Sequence, residues 1–199
     1  MASILHIISS PRKDASVSIK LGKAIVEKLQ AKYPDSTVTE VNLLEEKAPH
    51  LDPSHLQSFF TPKDQHTDAD KEAIRFSDKS ISQIFAADYI VIGTPLYNFS
   101  IPSVLKAWID HIARAGVTFK YTEQGPEGLV KGKKVYIAFA AGAVYSEGPY
   151  KAYDFATGYL TALFGFIGMT DVTVFRAEGV SLPNMREQAL AKAIESIVV

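Results

Sequence analysis

Five short apolar segments alternate along the chain with segments whose apolar residues recur at helical spacing. Strands separated by helices pair in parallel, and right-handed crossovers place the helices on both faces of the sheet. The alternation therefore predicts an α/β chain built on a doubly wound, five-stranded parallel sheet. The predicted strands are residues 3–8, 37–43, 89–92, 135–141 and 172–175.

The segments between these strands include predicted helices, one exposed strand and one long connection. Residues 117–121 alternate like an exposed strand, and residues 45–70 carry no strand signal. A connection as long as 45–70 usually carries function or mobility. Helical periodicity predicts helices over residues 19–31, 73–85, 104–112, 152–168 and 184–198.

Length and charge limit the classes of protein that the chain can be. With 199 residues, 47% of them hydrophobic and no break in composition, residues 1–199 suit a single domain. The near balance of 21 Lys and Arg against 22 Asp and Glu argues against nucleic-acid binding. The chain has no cysteine, so thiolate catalysis and iron–sulfur clusters are excluded. Redox chemistry must therefore come from a bound cofactor.

We expect neither a membrane span nor a metal site. The longest uncharged apolar stretch, residues 155–170, is shorter than the roughly 20 residues of a membrane span, and we interpret it as a buried amphipathic helix. No secretory signal precedes the first strand, which favours a cytoplasmic protein. His50, His55 and His66 lack the close spacing of metal ligands.

The loop after the third strand, residues 93–102, has the composition of a platform for a flat ligand. Pro95 and Pro102 fix the backbone at both ends, so the loop loses little entropy on binding. Tyr97 and Phe99 offer apolar surface, and Asn98 offers both a donor and an acceptor. An ordinary turn with aromatic residues over the core explains the same residues equally well.

The loop after the first strand, residues 9–18, has neither of the glycine-rich nucleotide fingerprints. It carries Ser10, Ser16 and Ser18 at the start of a helix, where free N–H groups and the helix dipole attract an anion such as a phosphate monoester. Alternatively, Ser16 merely caps the helix. After the fourth strand, the small residues 140–143 permit a close backbone approach to a ligand, or simply tight packing.

These three loops lie together if the strand order is the flavodoxin-like 2-1-3-4-5, because ligands of such sheets bind where the direction of winding reverses. A phosphate site in the first loop and an aromatic and amide platform in the third describe one flat, phosphorylated ligand. FMN fits that description.

Several segments resemble the bacterial FMN-dependent NADH:quinone oxidoreductases known as azoreductases. The resemblance implies a flavodoxin-like fold, FMN as cofactor and NADH as electron donor. It also implies quinones and aromatic azo compounds as acceptors, and a homodimer with active sites at its interface. The segments that carry it are residues 97–99, 113–123, 125–130 and 165–168.

The same resemblance implies roles for individual residues. Asn98 and Tyr121 are the expected catalytic residues. The resemblance implies that Tyr121 shapes the acceptor pocket from across the dimer, and our own hypothesis is that the Asn98 backbone forms a hydrogen bond to the flavin. Relatives carry a Ser-Arg-Gly-Gly type run after the fourth strand, where this chain has Ala140, Ala141, Gly142 and Ala143. Phe60 lies near a position that is basic in some relatives. The expected FMN-binding residues are Ser10, Ser16, Val17, Ser18, Pro95, Leu96, Tyr97, Asn98, Phe99, Ala140, Ala141, Gly142 and Ala143.

The functional hypothesis is a ping-pong reaction in which NADH reduces the flavin and an acceptor then takes two electrons. A flavodoxin-type electron carrier is the main alternative, although a net charge of −1 gives no sign of a charged docking face. A receiver domain would need acidic residues where this chain has Ser9 and Ser10, and a hydrolase would need a nucleophile elbow. The apolar stripe around Trp108, beside Phe119 and Tyr121, suits a dimer interface or the chain's own sheet. The physiological acceptor and the choice between NADH and NADPH stay open.

Overall fold

The computed structural model describes all residues 1–199 and contains seven strands and six α-helices. The strands are β1 (Ser3–Ile8), β2 (Thr37–Asn42), β3 (Tyr89–Pro95), β4 (Phe119–Thr122), β5 (Gly125–Gly128), β6 (Lys134–Ala141) and β7 (Asp171–Glu178). The helices are α1 (Val17–Lys32), α2 (Pro53–Phe60), α3 (Asp68–Ala86), α4 (Ser103–Ile112), α5 (Phe155–Ile167) and α6 (Arg186–Glu195).

Five of the strands form one parallel sheet in the order β2-β1-β3-β6-β7. The predicted five-stranded parallel sheet is therefore confirmed. The order differs in numbering from the predicted 2-1-3-4-5, because β4 and β5 pair only with each other in a separate antiparallel hairpin.

Two apolar layers cover the sheet, one on each face. Ile90 and Ile92 of β3 belong to the layer that contains Trp108 of α4, whereas Val91 belongs to the layer that contains Leu21 of α1. Successive residues of a strand point to opposite faces, so a strand that is buried on both sides must be apolar throughout. This explains the uninterrupted apolar segment from which β3 was predicted.

Two predicted segments differ from the structure. The long connection holds a helix, α2, whose start is capped by Asp52 and which packs on α3. The exposed strand predicted over 117–121 begins only at Phe119, because the Thr118 hydroxyl donates to the carbonyl oxygen of Ile112 at 2.6 Å and holds the preceding residues in a turn. None of the six α-helices combines the length and the apolar composition that crossing a membrane requires.

The β4–β5 hairpin is fastened to the end of α5 at Gly128. A Cβ atom on Gly128 would lie 2.1 Å from the amide nitrogen of Gly168. We therefore expect Gly128→Ala to lower the free energy of unfolding by about 3 kcal/mol, since the clash is with backbone. Denaturant unfolding measures this change.

Gly132→Ala is the matched control for that substitution. A Cβ atom at Gly132 meets nothing within 4 Å, and only its φ of +71° is unfavourable. We expect it to cost about 1 kcal/mol. Equal losses in the two variants would contradict the steric explanation at Gly128.

Candidate functional site

A cleft of about 1110 Å³ opens at the carboxyl ends of the sheet strands. Neighbouring β1 and β3 lie on either side of the point where the winding of the sheet reverses, which is where sheets of this kind bind ligands. Residues after β1, β2 and β3 and residues at the starts of α4 and α5 line the cleft. They are Ser9, Pro11, Leu44, Tyr97, Asn98, Ser100, Ile101, Pro102, Ser103, Val104, Lys106, Asp154, Phe155, Gly158 and Tyr159.

The start of α1 lies directly beside the end of β3. The Ser9 hydroxyl donates to the carbonyl oxygen of Gly93 at 2.8 Å. A Cβ atom on Gly93 would lie 3.2 Å from the carbonyl oxygen of Ser18, so glycine allows the first turn of α1 to approach β3 closely. The first and third loops are therefore in contact.

The predicted phosphate-binding residues surround the first turn of α1. Ser16 is the N-cap: its hydroxyl accepts a hydrogen bond from the Ile19 N–H at 3.3 Å and lies 3.1 Å from the Ser18 hydroxyl. The N–H groups of Val17 and Ser18 have no acceptor in the chain. Ser16 thus caps the helix, as the simpler interpretation expected, and still leaves two free donors at the positive end of the helix dipole.

Ser10 lies outside the main cleft. It is buried, its hydroxyl accepts from the Arg12 N–H at 3.4 Å, and it lines a smaller cavity of about 490 Å³ together with Lys13 and Glu40. The main cleft reaches the first loop only at Ser9 and Pro11. The structure therefore brings Ser16, Val17 and Ser18 together, with Ser10 at the edge of the group.

The third loop forms a tight turn at Asn98 and Phe99. Tyr97 and Ser100 exchange two backbone hydrogen bonds, of 2.9 and 3.0 Å, around it. Asn98 has a φ of +49° and Phe99 a φ of +68°, values that cost energy in residues other than glycine. Strained backbone of this kind is concentrated at functional sites. The turn presents both residues at its exposed tip.

Neighbouring segments hold this 97–100 turn in place. The Phe155 N–H donates to the carbonyl oxygen of Phe99 at 3.1 Å, and the Phe99 ring lies 5.2 Å from the Tyr153 ring. Behind the turn, Pro95 is buried and the Leu96 N–H donates to the carbonyl oxygen of Ala140 at 2.8 Å. The turn is therefore fastened to the start of α5 and to β6.

The small residues after β6 do not line the cleft. The carbonyl groups of Ala141, Gly142 and Ala143 accept from the segment after β7, at 3.0 to 3.2 Å. The N–H groups of Gly142 and Ala143 donate to no acceptor in the chain. The segment therefore keeps two free donors, which leaves a backbone approach to a ligand open. On the neighbouring strand β7, Arg176 pairs with Phe139 of β6 and donates to Glu178.

Three residues singled out from the sequence lie outside the cleft of their own chain. Tyr121 on the hairpin is 75% exposed, and Phe60 at the end of α2 is also exposed. Trp108 is almost completely buried against the sheet, so the apolar stripe of α4 faces the core, as the second interpretation of it proposed.

The start of α5 supplies lining residues that sequence reasoning missed. The helix begins at Phe155, capped by Asp154, rather than near residue 152. Residues 155–170 were interpreted as a buried amphipathic helix, and Phe155 at its start is 58% exposed. Asp154, directly before an apolar segment, is a recognisable N-cap residue and was the available signal.

Two ionisable side chains that line the cleft, Asp154 and Tyr159, have shifted pKa values. Burial would raise the pKa of Asp154, but hydrogen bonds from Thr157 and Arg176 outweigh it and lower that pKa below its usual value. Burial raises the pKa of Tyr159, so this phenol stays neutral. Lys106 is paired with Asp110 at 2.5 Å. Asp154 and Lys106 are thus both held in ion pairs within the chain.

Comparisons with known proteins agree with this architecture. A family model described as "Flavodoxin-like fold" matches residues 2–199. The FMN-dependent NADH:quinone oxidoreductase of Herminiimonas arsenicoxydans is 50% identical over 198 residues, covering 99% of this chain and 97% of the relative. The enzyme of the same name from Agrobacterium fabrum is 48% identical over 194 residues, covering 97% and 95%.

Solved structures of related proteins have the same fold as this chain. The azoreductase from Bacillus anthracis str. Sterne superposes with a TM-score of 0.91 at 34% identity, covering 98% of this chain and 96% of the other. The FMN-dependent NADH-azoreductase from Bacillus anthracis str. Ames Ancestor, solved in complex with FMN, has a TM-score of 0.86 at 30% identity, covering 98% and 97%. The chain therefore belongs to the flavodoxin-like family that includes these quinone oxidoreductases and azoreductases.

Proposed function

We propose that the chain is an FMN-dependent NADH oxidoreductase that reduces quinones and aromatic azo compounds in a two-electron, ping-pong reaction. One observation carries the proposal. The first and third loops meet at Gly93, which leads into the strained 97–100 turn: the Ser9 hydroxyl donates to Gly93, and Gly93 lies against Ser18 in the first turn of α1. We further propose that residues 1–199 act as a single cytoplasmic domain.

Polar groups on three segments suit FMN. The N–H groups of Val17 and Ser18, with the hydroxyls of Ser16 and Ser18, suit its phosphate. The 97–100 turn, with Pro95 and Leu96 behind it, offers apolar and amide surface to the ring. The free N–H groups of Gly142 and Ala143 suit its carbonyl oxygens. Ser10, Ala140 and Ala141 would support these segments from behind.

When bound, FMN supplies the redox chemistry, accepting a hydride from NADH and passing two electrons to the acceptor. The chain orients this group, and the two charged residues that line the cleft, Lys106 and Asp154, are each held in an ion pair. Asn98 is placed to orient FMN, because its backbone N–H has no acceptor in the chain and its amide side chain is exposed. Tyr121 would border the acceptor pocket of the other subunit.

An anaerobic titration of the FMN-loaded protein with NADH tests this function. We expect about one equivalent of NADH to bleach the visible absorbance of the oxidised flavin completely, without a semiquinone. Bound FMN that NADH does not bleach would contradict the proposal and favour a one-electron carrier.

A homodimer is part of the proposal, and α5 is its most suitable interface. Phe155, Gly158, Thr161 and Ala162 form an exposed, weakly polar surface on this helix, next to the mouth of the cleft. A Cβ atom on Gly158 would meet nothing within 4 Å, so a second backbone could approach closely there. The Tyr121 side chain, which is exposed in its own chain, would contact the partner from the β4–β5 hairpin.

We expect Ala162→Arg to convert the dimer into a monomer, because it places a charge in this apolar surface. Light scattering at micromolar concentration measures the mass. Ala31→Arg, at an exposed position on the unrelated helix α1, is the matched control and should leave the mass unchanged. A wild-type monomer, or a dimer that survives Ala162→Arg, would overturn this interface.

A further inference from the structure

Arg176 on β7 connects two buried carboxylates. Its Nη1 donates to Glu178 at 3.0 Å and its Nη2 to Asp154 at 2.9 Å. The guanidinium carbon lies 5.0 Å from the centre of the Phe139 ring on β6, and the Thr157 hydroxyl accepts from Nη2 at 2.7 Å. The side chains of Asp154 and Glu178 are only 7% and 9% exposed. A single guanidinium therefore compensates two carboxylates with little access to water.

The two carboxylates hold the two ends of one segment, residues 143–154. Glu178 accepts from the N–H groups of Tyr145 and Ser146, at 3.1 and 3.3 Å, near the beginning of the segment. Asp154 ends the segment and caps α5, accepting from the N–H groups of Ala156 and Thr157 at 3.1 and 2.9 Å. Arg176 thus joins the beginning of the segment to its end.

Between these ends the segment has few attachments to the rest of the chain. The backbone hydrogen bonds within residues 148–154 are local ones. Tyr150 packs on Tyr145 of the same segment, with ring centres 6.0 Å apart. The contact with the site is that of Tyr153, whose ring lies 5.2 Å from Phe99 in the 97–100 turn. The position of Tyr153 therefore depends on how the ends are held.

We propose that Arg176 is a positioning residue for the electron acceptor: by joining Asp154 to Glu178, it holds Tyr153 and Phe155 as an apolar wall for a flat aromatic acceptor. The inference rests on the proposed function, since it assigns this wall to the acceptor. Loss of the guanidinium leaves two buried carboxylates that repel each other, which releases the segment. The groups assigned to the FMN phosphate, on α1, have no contact with Arg176, so the phosphate contacts stay in place.

Two substitutions at Arg176 and one control test the proposal. Arg176→Met keeps the apolar part of the side chain and removes the charge. Arg176→Lys keeps the charge, but its compact ammonium group replaces the planar guanidinium that donates to both carboxylates. Arg75→Met is the control, because Arg75 is exposed and pairs only with Glu72 on α3. Exposed Lys151 lies within the segment, so trypsin cleavage after it reports the release of the segment without any cofactor.

We expect Arg176→Met to be cleaved after Lys151 at least tenfold faster than wild type, as followed by mass spectrometry. We also expect kcat/KM for a quinone to fall at least tenfold, mainly through KM. FMN affinity and the anaerobic rate of reduction by NADH should fall less than threefold, because the phosphate contacts on α1 are kept. Arg176→Lys should be intermediate, and Arg75→Met unchanged.

Unchanged cleavage would overturn the proposal, as would an equal loss of FMN affinity, NADH reduction and acceptor turnover. Failure of the wild-type protein to be reduced by NADH would instead overturn the proposed function, and the cleavage comparison would still decide whether Arg176 holds the segment. If Arg176→Met does not fold, Glu178→Gln provides the same comparison, because it weakens the contacts of Glu178 with Arg176 and the segment.

Discussion

Ser16→Asp is expected to weaken FMN binding at least 100-fold while leaving the fold intact. Aspartate caps helices as well as serine does, so the start of α1 keeps its hydrogen bond to the Ile19 N–H. The new carboxylate, however, stands at the proposed phosphate position. Two unit charges about 4 Å apart near a protein surface interact by about 4 kcal/mol, and about 1.4 kcal/mol corresponds to tenfold in affinity. Quenching of FMN fluorescence measures the dissociation constant.

Ser16→Asn is the matched control for this prediction. Asparagine has nearly the shape and capping strength of aspartate but carries no charge. We expect its FMN affinity to stay within about tenfold of wild type, and we expect added salt to narrow the difference between the two variants. Equal losses in both variants would mean that Ser16 acts through its hydroxyl or the shape of the loop. Unchanged affinity in both would place the phosphate elsewhere.

The sheet could be predicted from the sequence because burial on both faces leaves a direct mark on composition. Residues 89–92 and 135–141 are apolar without alternation, and both lie in central strands. The boundaries of α5 were harder to predict. The apolar content of residues 155–170 concealed the fact that one side of the helix, including Phe155, faces outward. Apolar composition alone does not distinguish a core from a surface that meets another chain.

The candidate site could be predicted only in part, because some of its features depend on three-dimensional contacts. The serines at the start of α1 follow a local pattern. The turn at Asn98 and Phe99 does not, since turns with two positive φ values usually contain glycine. The contacts of Arg176 with Asp154 and Phe139 depend on the register of β7 beside β6 and on where α5 begins. Neither the strand register nor the start of α5 can be read from a short segment of the sequence.

The strained turn leads to the second large expected effect, that of Asn98→Val. A β-branched residue disfavours the φ of +49° at this position more than asparagine does. The turn of the free protein should therefore relax, and FMN binding would have to restore it. A cost of about 2 kcal/mol corresponds to an affinity about 30-fold weaker. The flavin reduction potential should shift as well, since the Asn98 N–H would no longer be held in place.

Asn98→Gly separates the backbone of this residue from its side chain. Glycine adopts a positive φ without strain, so the turn is kept while the amide side chain is lost. If Asn98 acts through its N–H group, Asn98→Gly should hold FMN affinity within about threefold and keep the potential of the wild type. If Asn98→Gly lost as much FMN affinity as Asn98→Val, the side-chain amide of Asn98, rather than its backbone N–H, would be the group that binds FMN. The energy stored in the turn would then serve only to aim that amide at the ring.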